Sequence, residues 1–289
     1  MSIQPIRDEF VIADDITLHY VQWGTQGTPI ICTHGMTANA MCFQAFADEL
    51  APDHRIIAYD MRGRGDSDKL EDGYSIPIYA ADLAALIDEL ELERPIVLGH
   101  SLGAMVSLYF AAHYPTKLSK LVLIDAGAPL PWSTFDTQPD WLKASISRIG
   151  VPVPSFKEYV NRLKAAPFLG PYWNDYFDLY FKNDVIFEND GSVVSKMYRE
   201  ALLEEAEPAN AVRLDEQWEH ATVPTLLLRA GRGLLSDNDQ LLSEKDAQRI
   251  RQTIPNCQYV NFPTLNHYTI IFGTEPGPGQ AIRSFVDEK

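Results

Sequence analysis

Pro95-Ile96-Val97-Leu98-Gly99-His100-Ser101-Leu102-Gly103-Ala104-Met105-Val106-Ser107-Leu108-Tyr109-Phe110-Ala111-Ala112 is the stretch on which the fold turns. Its opening apolar run has the character of a buried parallel strand, and the residues after Gly103 read as a helix. The G-x-S-x-G between them therefore sits on a strand-to-helix turn. A serine at such a turn is held in a strained backbone, tolerated because flanking glycines remove steric clash, and its hydroxyl is lifted clear of the sheet. The following amide, Leu102 N–H, opens a helix, where unpaired donors and the helix dipole favour negative charge. Ser101 is thereby placed as a nucleophile. The bland alternative is a tight turn whose serine only caps the helix, and a base, an acid and a second oxyanion donor elsewhere in the chain weigh against it.

Outward from the turn, strands and helices alternate. Ile16–Trp23 alternates apolar and polar, which predicts a half-exposed antiparallel strand. Pro29-Ile30-Ile31-Cys32 predicts a buried strand entering Thr33-His34-Gly35-Met36-Thr37-Ala38-Asn39, with a helix over 41–50. Residues 55–60 form another strand, leading into Met61-Arg62-Gly63-Arg64-Gly65-Asp66-Ser67-Asp68. Ser75 then caps a helix with Tyr79, Leu83, Leu86, Ile87 and Leu90 on one face. Residues 120–125 are a strand ending in a carboxylate, and because ligands bind at the carboxyl ends of parallel strands, Asp125 falls on the same rim as Ser101. A buried strand over 223–230, a helix over 241–253, a last strand over 258–262 and a helix from about residue 279 complete the pattern.

From end to end the chain resembles the α/β-hydrolase superfamily. Its H-G-x-T-x-N, G-H-S-L-G-A and N-H-Y motifs are similar to those of bacterial carboxylesterases and of ring-degradation amide hydrolases of the acetamidomethylene-succinate type. The resemblance implies an α/β fold: a mostly parallel eight-stranded sheet flanked by helices, with a helical cap inserted after strand 6. Residues 1–128 and 221–289 would form the core domain and 129–220 the cap. That middle stretch is rich in proline and holds 15 of the chain's 31 aromatic residues. Its stripe Tyr172, Trp173, Tyr176, Phe177, Tyr180 and Phe181 reads first as packing and second as a pocket wall. Arg148, Arg162, Arg199 and Arg213 could each meet a substrate carboxylate, with solvated surface as the default for all four.

The resemblance also implies roles. The His-Gly loop after the third strand makes Met36 N–H the second oxyanion amide, partnering Leu102 N–H. The stretch over 60–68 matches D-x-R-G-x-G-x-S-D and is given ion pairs that fix the loop, not direct catalysis. Of seven histidines, only His267 lies in the loop after the last strand, where the superfamily keeps its general base. His19, His54, His100, His113 and His220 have ordinary structural explanations, and His34 belongs to the oxyanion turn. The acid stays open between two places. Most members carry it just after the strand over 225–230, yet residues 231–236 hold no carboxylate, and Asp237 and Asp239 come later. A minority place it after strand 6, where Asp125 stands, and Asp125 is the favoured reading.

Bulk composition bounds the rest. With 24 Lys and Arg against 40 Asp and Glu, the net charge of −16 disfavours nucleic acid and anionic membranes as partners. There is no secretory h-region at the start and no run of about eighteen apolar residues, so a cytoplasmic location is the expectation. Cys32, Cys42 and Cys257 are odd in number and lack metal spacing, which argues against a disulfide framework. The expected function is a serine hydrolase cleaving a carboxylic ester of a small apolar or aromatic substrate, with no metal or organic cofactor and with the oligomeric state open. Lactone, amide or carbon–carbon hydrolysis, a ligand-binding homologue with little turnover, and a haloperoxidase side reaction are the rivals.

Overall fold

The computed structural model describes residues 2–130, 139–207 and 211–288. Eight strands form one sheet: Arg7–Ala13 (β1), Ile16–Trp23 (β2), Pro29–Thr33 (β3), Arg55–Tyr59 (β4), Ile96–His100 (β5), Lys120–Ile124 (β6), Thr225–Ala230 (β9) and Cys257–Phe262 (β10). Two more, Val185–Phe187 (β7) and Val193–Ser195 (β8), pair antiparallel in a small separate sheet. The large sheet runs β1-β2-β4-β3-β5-β6-β9-β10, with β1–β2 and β2–β4 antiparallel and every other pair parallel. From β3 the chain crosses one way to β4 and then back to β5 on the other side. That reversal opens a crevice at the carboxyl ends of β3 and β5, where open α/β sheets bind their ligands.

Alternation along the strands fills two cores. Val97, Leu121, Leu123 and Leu227 face Ile76–Glu89 (α2), Leu102–His113 (α3) and Ile250 of Glu244–Thr253 (α8). Leu98, Val122, Leu226 and Leu228 face Phe46 and Leu50 of Gln44–Leu50 (α1) and Ile282 and Phe285 of Gly277–Asp287 (α9). Because both faces are covered, the central strands need continuous apolar sequence, as 95–98 and 226–228 show.

Several expectations need correction. β2 is buried along its length and not half exposed, because β1 pairs along its outer edge. Its polar residues are bonded, not wet: His19 lies 2.7 Å from Asp60 and 2.8 Å from Asp8, and Gln22 accepts from Arg55 Nε at 2.9 Å. The exposure falls on β1, with Phe10 61% and Ile12 69% exposed. Ser75 stands at the N-cap position of α2 in extended backbone, but its side chain makes no capping bond. The helix expected over 41–50 divides into a 3-10 turn, Ala40–Phe43, capped by Asn39, followed by α1. α8 begins later than residue 241 because Ser243 caps it, accepting from Asp246 N–H at 3.0 Å.

Between β6 and β9 lie Asp140–Ser147 (α4), Phe156–Lys164 (α5), Asp175–Asn183 (α6), β7, β8 and Arg199–Glu205 (α7). The stretch assigned to a helical cap thus also contains a two-stranded sheet. Residues 131–138 and 208–210 of it, with Trp132 and Phe135 among its aromatics, lie outside the described residues. The aromatic stripe is mostly packing. Phe177 stacks on Phe272 with centroids 4.2 Å apart, and Trp173 stacks on Phe177 and Phe181. Arg148 is not solvated: it pairs with the buried Asp184 and donates to the Thr37 carbonyl at 3.2 Å. Among the described residues, no helix is long and apolar enough to cross a membrane.

Candidate active site

Ser101 follows β5 and stands at the N-cap position of α3, without a side-chain capping bond, at φ 57° and ψ −125°, a positive-φ conformation that L side chains seldom adopt. The flanking glycines serve close packing. A Cβ on Gly99 would fall 2.1 Å from the Gly103 carbonyl oxygen, and one on Gly103 would fall 2.0 Å from that of Thr33. Both distances are to backbone, which cannot swing away. Gly103→Ala is therefore expected to cost about 3 kcal/mol of stability or to prevent folding, read as a lowered urea midpoint or loss of soluble protein.

Three side chains meet at this rim. His267 Nε2 lies 2.9 Å from Ser101 Oγ, and His267 Nδ1 lies 2.7 Å from Asp125 Oδ2. Asp125 is 0% exposed, follows β6 with φ 53°, and accepts from Ala230 N–H through Oδ1 at 2.9 Å. One carboxylate oxygen is thus fixed by β9 while the other faces the imidazole. The two later aspartates do not join them. Asp239 turns its carboxylate onto the N–H groups of Leu234, Leu235 and Ser236 at 2.7, 2.8 and 3.2 Å, and Asp237 is exposed. They organise the loop after β9 instead.

The loop carrying His267 is braced from several sides. Asn266 Oδ1 accepts from the N–H groups of Tyr268 and Thr269, and Asn266 Nδ2 donates to the Phe168 carbonyl at 3.0 Å. His100 Nε2 lies 2.9 Å from the His267 carbonyl oxygen, which can only accept, so that nitrogen carries the proton. Burial holds His100 well below the usual imidazole range, and its neutral ring leaves Nδ1 as a bare acceptor.

The turn after β3 packs directly on the serine. A Cβ on Gly35 would lie 3.1 Å from Ser101 Cβ and 3.5 Å from Ser101 Oγ, and Met36 is the next residue along the chain. Among the described residues neither Met36 N–H nor Leu102 N–H has an acceptor within the protein. His34 accepts from Met61 N–H at 3.0 Å through Nε2, which leaves Nδ1 to donate to the Gly35 carbonyl at 2.8 Å. Burial, only partly opposed by Asp60, pushes His34 down to about 4 and keeps it neutral.

The stretch over 60–68 braces this turn with a buried network. Arg62 forms a two-pronged pair with Asp82, both contacts at 2.6 Å. Asp60 accepts from the N–H groups of Ala40 and Asp66 at 2.8 and 2.9 Å. Arg64 donates to the Met36 carbonyl at 3.1 Å and pairs with Glu205 at the end of α7. That last contact spans 141 residues, and nothing in the local sequence announces it.

Above the rim lies a cavity of about 420 Å³ lined by Ser101, His267, Met36 and Leu102. Its walls are largely apolar, including Ile76, Met105, Leu142, Ile271 and Phe272. Cys42, Trp141 and Tyr180 also line it, the last being the only member of the aromatic stripe to do so among the described residues. Of the four arginines singled out from the sequence, only Arg213 reaches its edge. It is 68% exposed and already paired with Asp215 and Glu216.

Comparison with known proteins agrees with this architecture. The chain is 30% identical over 184 residues to a serine hydrolase-like protein of Danio rerio, covering 60% of this chain and 56% of that one. It is 41% identical over 110 residues to the 2-(acetamidomethylene)succinate hydrolase of Mesorhizobium japonicum, covering 38% and 39%. The chain therefore spans only about half the length of the curated relatives it matches. The crystal structure of an E-2-(acetamidomethylene)succinate hydrolase superposes with a TM-score of 0.82 at 26% identity, covering 98% and 99% of the two chains. Residues 28–274 match the family model described as alpha/beta hydrolase fold, and with the sheet order and the serine turn this makes the chain a member of the α/β-hydrolase fold family.

Proposed function

We propose that the protein is a serine hydrolase cleaving a carboxylic ester of a small, apolar or aromatic substrate through an acyl-enzyme. The observation that carries this reading is the relay Ser101–His267–Asp125, with contacts of 2.9 and 2.7 Å, opening into a mainly apolar cavity. Its serine hydroxyl has a base within reach, and the base has an orienting carboxylate, which is what nucleophilic acyl transfer requires.

As Ser101 Oγ bonds to the acyl carbon, its proton passes to His267 Nε2, and Asp125 stabilises the imidazolium. The carbonyl oxygen takes the negative charge and accepts from Met36 N–H and Leu102 N–H, each amide being worth about 3 kcal/mol in the transition state. Collapse breaks the bond to the alcohol oxygen, which leaves with the proton from His267. A water then attacks the acyl-enzyme, giving its proton to His267, and the acid departs as Ser101 recovers the proton. In this reading residues 129–220 act as a cap, with Trp141, Leu142 and Tyr180 forming the upper wall over the acyl group.

An amide bond is the second reading, favoured by the 41% identity to an acetamidomethylene-succinate hydrolase. A panel of p-nitrophenyl alkanoates and phenylacetate, small lactones and acylated amines distinguishes them. The expected result is fastest turnover of the apolar esters. Turnover of acylated amines or lactones with the esters left intact would reassign the bond that is cut.

A further inference from the structure

Glu205 is the last residue of α7 and is one of the residues lining the cavity that also holds Ser101 and His267. Its position is costly. A carboxylate at a helix C-terminus opposes the macrodipole, and burial pushes its carboxyl above the ordinary range while Arg64 pulls it back. One oxygen is satisfied: Oε1 accepts from Arg64 and from the Tyr79 hydroxyl. The other, Oε2, is buried with no hydrogen-bond partner among the described residues. A buried polar oxygen without a donor leaves its lost hydration uncompensated, so this one marks a place where a donor belongs.

The charge state follows from Arg64. That guanidinium is 0% exposed, and without an ionised Glu205 it would be a buried charge with no counter-charge. Oε2 is then a pure acceptor. The cavity supplies no free cation to balance a further anion: among the described lining residues the sole Lys or Arg is Arg213, which is committed to Asp215 and Glu216.

We propose that Glu205 is the polar anchor of the substrate pocket and that its free oxygen accepts a hydrogen bond from a donor carried by the substrate, a hydroxyl, amide N–H or ammonium group, on an otherwise apolar body. A substrate with a carboxylate at that end is rejected, because it would set two acceptor-only groups against each other. This deepens the serine hydrolase reading by naming the substrate class, and it rests on that reading for the reaction alone.

The test measures binding separately from turnover. A matched set, 4-phenylbutan-1-ol, 4-phenylbutanamide, 4-phenylbutylamine and 4-phenylbutanoate, is titrated by calorimetry into the wild-type protein and into Glu205→Gln. In the variant the amide oxygen must still accept from Arg64 and Tyr79, so its NH₂ takes the place of Oε2 and turns the site from acceptor to donor. The expected result in the wild type is binding of one or more of the three donor ligands about tenfold or more tighter than of the carboxylate, consistent with one charge-assisted hydrogen bond. Glu205→Gln should erase or reverse that order. Slowed fluorophosphonate labelling of Ser101 by the bound ligand places it in this cavity. Equal or tighter binding of the carboxylate by the wild type, or an unchanged order in the variant, overturns the proposal. A loss of the folded state in Glu205→Gln, seen by circular dichroism, moves the decision to the wild-type order alone. If Ser101 resists labelling while the head-group order holds, the hydrolase reading falls and the anchor stands.

Discussion

On the proposed reading, replacing Ser101 with alanine is expected to lower turnover of the best ester roughly a million-fold, to the level left by binding and oxyanion contacts, as it does in serine hydrolases. In the proposed mechanism the hydroxyl, with His267 Nε2 at 2.9 Å, forms the acyl bond, and its loss leaves His267 to activate water alone. Among the described residues, the substitution breaks no side-chain hydrogen bond other than the one to His267 at 2.9 Å. The urea midpoint of Ser101→Ala should therefore stay close to that of the wild type, which separates lost chemistry from lost fold. Steady-state kinetics of highly purified protein, checked by mass spectrometry for wild-type contamination, makes the comparison.

Asp125→Asn is expected to cost about four orders of magnitude in turnover, whereas Asp237→Asn and Asp239→Asn should change it little. The reason lies in the two oxygens of Asp125. Ala230 N–H occupies Oδ1, so an asparagine would keep its own oxygen there and turn its NH₂ toward His267 Nδ1. That arrangement forces the proton onto Nε2, and the imidazole can no longer take the proton of Ser101. Asp239 instead holds three loop amides, and its loss should appear as lowered stability of the loop over 231–239. Comparison of kcat for the three variants decides the matter. A large loss in Asp239→Asn with near-normal Asp125→Asn would move the acid to the later loop.

Much of this architecture was legible in the sequence, for identifiable reasons. A parallel sheet covered on both faces demands unbroken apolar strands, and 95–98 and 226–228 carry that demand openly. The serine turn was legible because close packing leaves only glycine at 99 and 103, and the rim position of Asp125 followed from its place at the end of β6. Other features escaped. β1 opens with Arg7, Asp8 and Glu9 and is mostly exposed, so it lacks the apolar signal of its neighbours. β2 looked half exposed because His19 and Gln22 are polar, and the partners that bury them lie 41 and 33 residues away. Ser75 had the residue type of a cap without the bond. Glu205 was invisible for a similar reason: its meaning comes from Arg64 and Tyr79, brought to it by packing of α7 against the 61–68 loop. Local pattern reveals what a residue buries, but not which distant group satisfies it.

In the proposed mechanism everything depends on Ser101 being a nucleophile activated by His267. The most direct measurement is treatment of the folded protein with a fluorophosphonate, followed by peptide mapping by mass spectrometry, in the wild type and in His267→Ala. A single stoichiometric adduct on Ser101 is expected in the wild type, with strongly slowed labelling in the variant. An adduct on a different residue, no adduct on the folded wild-type protein, or labelling of Ser101 at the same rate without the imidazole would contradict it.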